Sequence, residues 1–297
     1  MARIALKVDV DTLRGTVEGV PRLMEILRRH RVSATFLFSL GPDHTGWALK
    51  RVFRPGFLTK VSRTSVVRHY GLRTLMYGVL LPAPDIGRRA AEPMRACAAA
   101  GHECGLHAWD HVLWHDQVRH RDEAWTRRQM GLAYDRFGEV FGRAPSTHGA
   151  AGWQINDAAW RQIDDWGMAY ASDGRGREAF HPMVNGQRLR HVQMPTSLPT
   201  FDELIGLDGV EEQTVDRALL ARTESDQDQV FTLHAELEGG ELAPVFDRLL
   251  AGWKAQGHVL GTMRDHHDAL PAIGTAAAPL HWGTVPGRSG ELALSAA

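Results

Sequence analysis

Short apolar runs alternate with helical patterns along most of this chain, and the polar residues able to do chemistry fall where the runs end. Residues 4–10 read as a strand. Pro21 then opens a helix whose apolar face is Leu23, Ile26 and Leu27. Residues 34–38 and 104–107 supply two more strands, and Met130, Tyr134, Phe137 and Phe141 recur at helical spacing. Asn156 suits an N-cap ahead of Trp160 and Ile163. Residues 192–194, 230–234 and 259–261 add further strands. Such alternation with short connections predicts an α/β fold on a parallel sheet, open or closed into a barrel. Chemistry in these folds gathers at the C-terminal ends of strands. Asp9, Asp11, His107 and His234 all stand at or just past such an end.

At 297 residues the chain can bury a full core. A formal net charge of −1 gives no reason to expect nucleic acid as a partner. Cys97 and Cys104 are too few for a disulfide framework and read as structural residues of a reducing compartment. The N-terminus reaches Arg3 and Lys7 too early for a secretory signal, which predicts a cytoplasmic protein. No apolar stretch is long enough to span a bilayer. Two segments break the alternation. Residues 42–90 form an insertion in a catalytic domain of residues 1–272, and residues 273–297, rich in Ala, Gly and Pro, are expected to be a loose tail.

Two carboxylates as close as Asp9 and Asp11 repel unless a cation or a proton shares them. His107 and His111 could share one helical turn or face each other across a strand–loop junction; either lets both imidazoles reach one ion. Taken singly, the aspartates could cap a turn before Thr12, and the histidines could be satisfied polar side chains. Together, a carboxylate and two imidazoles beside a spare carboxylate predict a divalent-ion site with open positions and a base at hand. Zinc is the first candidate, and cobalt, manganese and nickel accept the same donors. His148 reads as an incidental loop residue. Glu236 and Glu238 read as solvated loop acids, with binding of a product ammonium as the alternative.

With these residues in hand the chain resembles the polysaccharide-deacetylase (NodB-homology) superfamily. That resemblance implies a distorted (β/α) barrel with one divalent ion that hydrolyses N-acyl groups on sugars. It implies Asp9 as catalytic base, Asp11, His107 and His111 as ligands, His234 as general acid, and Asp173 as the group that orients His234. The superfamily often places an arginine in its third motif to hold the base; here that region reads Gly152-Trp153-Gln154, so Arg14 or Arg175 is expected to take over, or backbone donors to hold Asp9 instead. Segments 9–16, 18–23, 105–111, 150–153, 195–200 and 234–239 are similar to the branch that deformylates 4-deoxy-4-formamido-L-arabinose on an undecaprenyl phosphate carrier, for lipid A modification. That likeness implies a lipid-linked amino sugar as substrate; Glu236, with Arg14 and Arg175, is a candidate for supporting the residues that do the chemistry.

The insertion carries nine basic residues against Asp43 and Asp85. Lys50, Arg51, Arg54, Lys60, Arg63, Arg68 and Arg73 are interleaved with Trp47, Phe53, Phe57, Tyr70 and many aliphatic residues. That pattern fits either amphipathic helices packed on the barrel or a segment lying in a membrane interface. A lipid-linked substrate favours the second, with an anionic membrane surface as partner and a peripheral place on the cytoplasmic face of the inner membrane. Two other readings use the same residues: an N-acyl hydrolase of a soluble substrate, and an inactive membrane-binding relative.

Overall fold

The computed structural model describes residues 2–48, 70–224, 226–271 and 276–295. Its first strand, β1 (Arg3–Val10), shows how the sequence builds the sheet. Ile4, Leu6, Val8 and Val10 join the main apolar core under the helices. Ala5 joins a separate small cluster with Tyr170, Met194, Val230 and Met263. Side chains alternate across a strand, so Lys7 and Asp9 share the face of Ala5 and point inward above that plug. The strand is buried on both faces, as a parallel-sheet strand must be.

The remaining strands are β2 (Thr35–Ser39), β3 (Glu103–Ala108), β4 (Thr147–His148), β5 (Tyr170–Ala171), β6 (Phe180–Val184), β7 (Gln187–Arg188), β8 (Val192–Gln193), β9 (Gln229–His234), β10 (Val259–Gly261), β11 (Ala276–Ala278), β12 (His281–Gly283) and β13 (Leu292–Leu294). The ladder runs β10-β1-β2-β3-β4-β5-β8-β6-β11, with β9 also on β1 and β7 on β6. β1 is paired on both edges. Ile4 to Asp9 lie beside β9, while the opposite edge meets β10 at residues 3–5 and β2 at residues 7–10. The segment that follows β8 reaches β9 through individual hydrogen bonds. Ser197 and Leu198 both donate to the Val230 carbonyl at 3.1 Å, and the Thr196 and Thr232 hydroxyls are 2.6 Å apart.

The helices behave as their sequences require. The helix Val20–His30 has Pro21 in its first turn, buries Leu23, Ile26 and Leu27, and stops at Arg31 in the left-handed region. The Asn156 side chain accepts from the Ala159 N–H and starts the helix Asp157–Asp165. The helix Glu123–Phe141 buries Met130 and Phe137.

The end of the chain corrects the expectation of a loose tail. β11 lies parallel on β6, and β12 and β13 form an antiparallel pair. Leu292 and Ala293 are buried, and the Arg288 guanidinium sits 4.2 Å from the Trp153 ring centroid. An Ala- and Gly-rich composition hid three short strands that depend on tertiary contacts for their order.

Candidate active site

His107 ends β3 on the inward face, and His111 is the first residue of the helix His111–Gln117. The pair therefore spans a strand–loop junction, not a helical turn. Asp110 fixes that junction. One of its oxygens caps the helix by accepting from Leu113 N at 3.0 Å, and the other lies 2.6 Å from His44 Nδ1. Asp11, His107 and His111 each offer a ligand atom, all within 4.8 Å of one another. His107 Nε2 is 3.2 Å from Asp11 Oδ1, and His111 Nε2 is 3.4 Å from Asp11 Oδ2.

Proton positions decide what this cluster can hold. His107 Nδ1 lies 2.7 Å from the Gly149 carbonyl, which can only accept, so in the neutral ring that binds a metal Nδ1 carries the proton and Nε2 the lone pair. That nitrogen and Asp11 Oδ1 are both buried without a hydrogen bond. Two facing acceptors at this range suit a cation between them, and one carboxylate with two imidazoles suits a divalent transition ion. Burial opposes charge on Asp11, yet His111 and His107 hold its carboxyl far below the usual range. Burial would likewise lower His107, but the Asp9 and Asp11 carboxylates carry it above its ordinary value.

Asp9 stands beside this trio. Its Oδ1 is 3.9 Å from His107 Nδ1 and has no hydrogen-bond partner. Its Oδ2 lies 3.2 Å from the ammonium of the fully buried Lys7, a residue the sequence reading passed over. His234 pairs in register with Asp9, so the two side chains share the inward face. The His234 ring is buried with Nδ1 unpartnered, and its main-chain N–H donates to Glu238 Oε2 at 2.7 Å.

Glu236 and Glu238 are not solvated; both are buried. Glu236 Oε1 accepts from Asp11 N, Thr12 N and Thr12 Oγ1 at 3.1, 2.9 and 2.8 Å, which clasps the loop carrying Asp11. Gly15 makes room for that carboxylate, since a Cβ there would stand 1.9 Å from Oε1. Burial drives the Glu238 carboxyl up to about 8, and burial together with the Asp11 charge raises Glu236.

Three expectations about supporting groups need correction. Asp173 does not orient His234; it lies 2.6 Å from His148 Nδ1 and accepts from Gln193 Nε2 at 2.6 Å. The pleat explains this. His148 and Ala171 are register partners, Ala171 is in the outer core, and Asp173 two residues on keeps that parity. Arg14 pairs with Glu18, and Arg175 is buried against Glu203 and the Thr196 and Leu198 carbonyls. The cation beside Asp9 is Lys7 instead. Trp47 is half-buried, stacked on His44 at 3.7 Å with its indole N–H on the Gly78 carbonyl, so it packs into the fold. Arg73 is exposed. Lys50, Arg51, Arg54, Lys60, Arg63 and Arg68 lie outside the described residues.

The polysaccharide deacetylase family model matches residues 3–171. The chain is 36% identical over 250 residues to the probable 4-deoxy-4-formamido-L-arabinose-phosphoundecaprenol deformylase ArnD of Shewanella sediminis, covering 84% of this chain and 81% of that protein. It is 31% identical over 238 residues to the protein of the same name from Wigglesworthia glossinidia brevipalpis, covering 80% and 82%. Among solved structures, a probable polysaccharide deacetylase from Pseudomonas aeruginosa PAO1 superposes with a TM-score of 0.59 at 15% identity, covering 90% of each chain. The Xyl-CE4 domain of a multidomain xylanase from the hindgut metagenome of Trinervitermes trinervoides gives 0.52 at 12% identity, covering 93% of this chain and 96% of that one. These two likenesses speak for the α/β fold. Among the described residues no helix is long and apolar enough to cross a membrane.

Proposed function

This chain belongs to the polysaccharide deacetylase family, and we propose that it hydrolyses the formamide of 4-deoxy-4-formamido-L-arabinose carried on undecaprenyl phosphate. The products would be formate and the free 4-amino sugar on its lipid. One observation carries the chemistry: an Asp11–His107–His111 cluster stands beside a second carboxylate, Asp9, that keeps one oxygen unpartnered. The substrate follows from likeness to relatives named for that reaction.

Asp11, His107 and His111 would hold one divalent ion, zinc first. When bound, such an ion acidifies water and polarises a carbonyl. Asp9 takes a proton from the water as its oxygen bonds to the formyl carbon. An amine leaves poorly unless protonated, so His234, beside Asp9 on the same face, gives the nitrogen a proton as the carbon–nitrogen bond breaks. Glu238 holds the His234 main chain, and Glu236 holds the Asp11 loop.

A lipid carrier places the work at a membrane, peripherally and on the cytoplasmic face. Leu72, Val79 and Leu80 are 67%, 55% and 76% exposed, Leu72 adjoins Arg73 in the chain, and Gly71 abuts Arg14 just past Asp11. Apolar side chains beside cations suit an anionic lipid surface. The amine released is the group that aminoarabinose modification adds to lipid A, the change behind resistance to cationic antimicrobial peptides. The test is formate release from the formamido-arabinosyl lipid. Release should stop with a chelator and return with added zinc or cobalt. Metal-loaded protein that leaves this lipid intact but deacetylates soluble amino sugars would replace the reading with its nearest rival.

A further inference from the structure

Lys7 is fully buried in the barrel, two residues before Asp9 on the same inward face. Its ammonium is 3.2 Å from Asp9 Oδ2. The rest of its surroundings are close. The Trp153 ring centroid is 5.4 Å from Nζ, and a Cβ at Gly149 would stand 2.9 Å from Cε. A lysine in such a place keeps its charge only with an anion and a polarisable face to answer it. Trp153 is brought there by an unusual backbone. Gly152 and Trp153 take consecutive left-handed conformations at φ 60° and 54°, a cost for the tryptophan that a functional placement explains.

The consequence falls on Asp9, whose two oxygens have different fates. Oδ2 is tied to Lys7, while Oδ1 is left without a hydrogen bond on the side of His107. We infer that Lys7 is the positioning residue for Asp9: it anchors one carboxylate oxygen, presents the other to the attacking water, and stops Asp9 from swinging across to become an extra metal ligand. In this role Lys7 acts through Asp9. The inference rests on the reading of Asp9 as the base, and it places the cation on the base's own strand, with Trp153 as its backing.

The experiment compares Lys7→Met and Lys7→Arg with the wild type on two substrates, the formamido-arabinosyl lipid and an activated aryl ester. Lys7→Met should lower kcat on both by ~100-fold with KM changed less than about twofold, the mark of an interaction made in the transition state. The visible spectrum of its cobalt-loaded form should shift as Asp9 joins the ion. Lys7→Arg should regain at least about tenfold of that loss and keep the wild-type cobalt spectrum, because it restores the charge. Should the Met variant fail to fold, Lys7→Gln takes its place with the same expectations. A neutral variant with near-normal kcat and an unshifted cobalt spectrum overturns the inference, and so does an Arg variant as poor as Met. Wild type that cleaves the ester but not the lipid sinks the substrate reading alone, since the ester arm still judges Lys7. Metal-loaded wild type inert on both sinks the two together.

Discussion

Two histidine–aspartate pairs lie on neighbouring strands and have opposite characters. His148 and Asp173 form a closed pair. The imidazole is 2.6 Å from one oxygen, Gln193 Nε2 donates to the other, and Gln193 Oε1 accepts the Asp173 N–H at 3.1 Å. His107 and Asp11 are open, because Nε2 and Oδ1 approach to 3.2 Å without a hydrogen bond. Both pairs are buried, so burial does not separate them. Strand parity does. Asp11 and His107 meet in the ligand cluster on the inward face of the sheet, whereas His148 pairs in register with Leu106, a residue of the outer core, and packs near Trp114. A buried pair with every partner supplied is structural; a buried pair of facing orphan acceptors asks for an ion.

The largest expected effect breaks the open pair. Asp11→Ala should lose its bound metal, read by elemental analysis, and turnover should fall by roughly a thousandfold or more. Asp173→Ala should keep its metal; a variant as empty as Asp11→Ala would erase the contrast between the pairs. Next comes His234→Ala, which should retain metal while kcat drops ~100-fold. A near-normal rate would remove His234 from proton transfer. The closed pair should reveal itself in stability. Removing one partner of a buried, hydrogen-bonded pair costs about 3 kcal/mol, so Asp173→Ala should unfold at lower urea while its kcat stays within about threefold.

Local pattern was enough for most of the architecture and for the residues, Asp11, His107 and His111, that the fold gathers into one cluster. Asp9, Asp11, His107 and His234 lie at or just past the ends of strongly apolar strands, and the periodicity that marks those strands also places their ends. Asp173 was misplaced because its strand, β5, is two residues long, too short for parity to be read from sequence. Lys7 was passed over because a lysine inside a strand ordinarily reads as a solvated residue. Only the folded sheet, in which Lys7 is fully buried, shows that its face is interior. Glu236 and Glu238 looked like loop acids, and what buries them is the fit of two loops, visible at Gly15 and again at Gly239, where a Cβ would stand 2.4 Å from the Ala235 carbonyl.

The smallest effect asks on which side of the comparison Glu238 falls. Its Oε2 takes the His234 N–H, while its Oε1 is buried without a partner, so it is half closed and half open. Burial raises its carboxyl from 4.5 to about 8, with the Asp202 charge adding to the rise. Below pH 4.5 the folded and unfolded chains both carry this proton, and between 4.5 and 8 only the folded chain does. Stability should therefore fall as pH rises through that window, by at most about 1.4 kcal/mol per unit from this group. Glu238→Gln keeps an acceptor for the His234 N–H and cannot ionise, so its unfolding midpoint should fall less steeply with pH over the same range. If Glu238 belongs with the closed pair, that flatter profile comes with a kcat within about twofold of wild type. A large loss of kcat at unchanged metal content would move Glu238 to the open side, as a group His234 needs in order to deliver its proton.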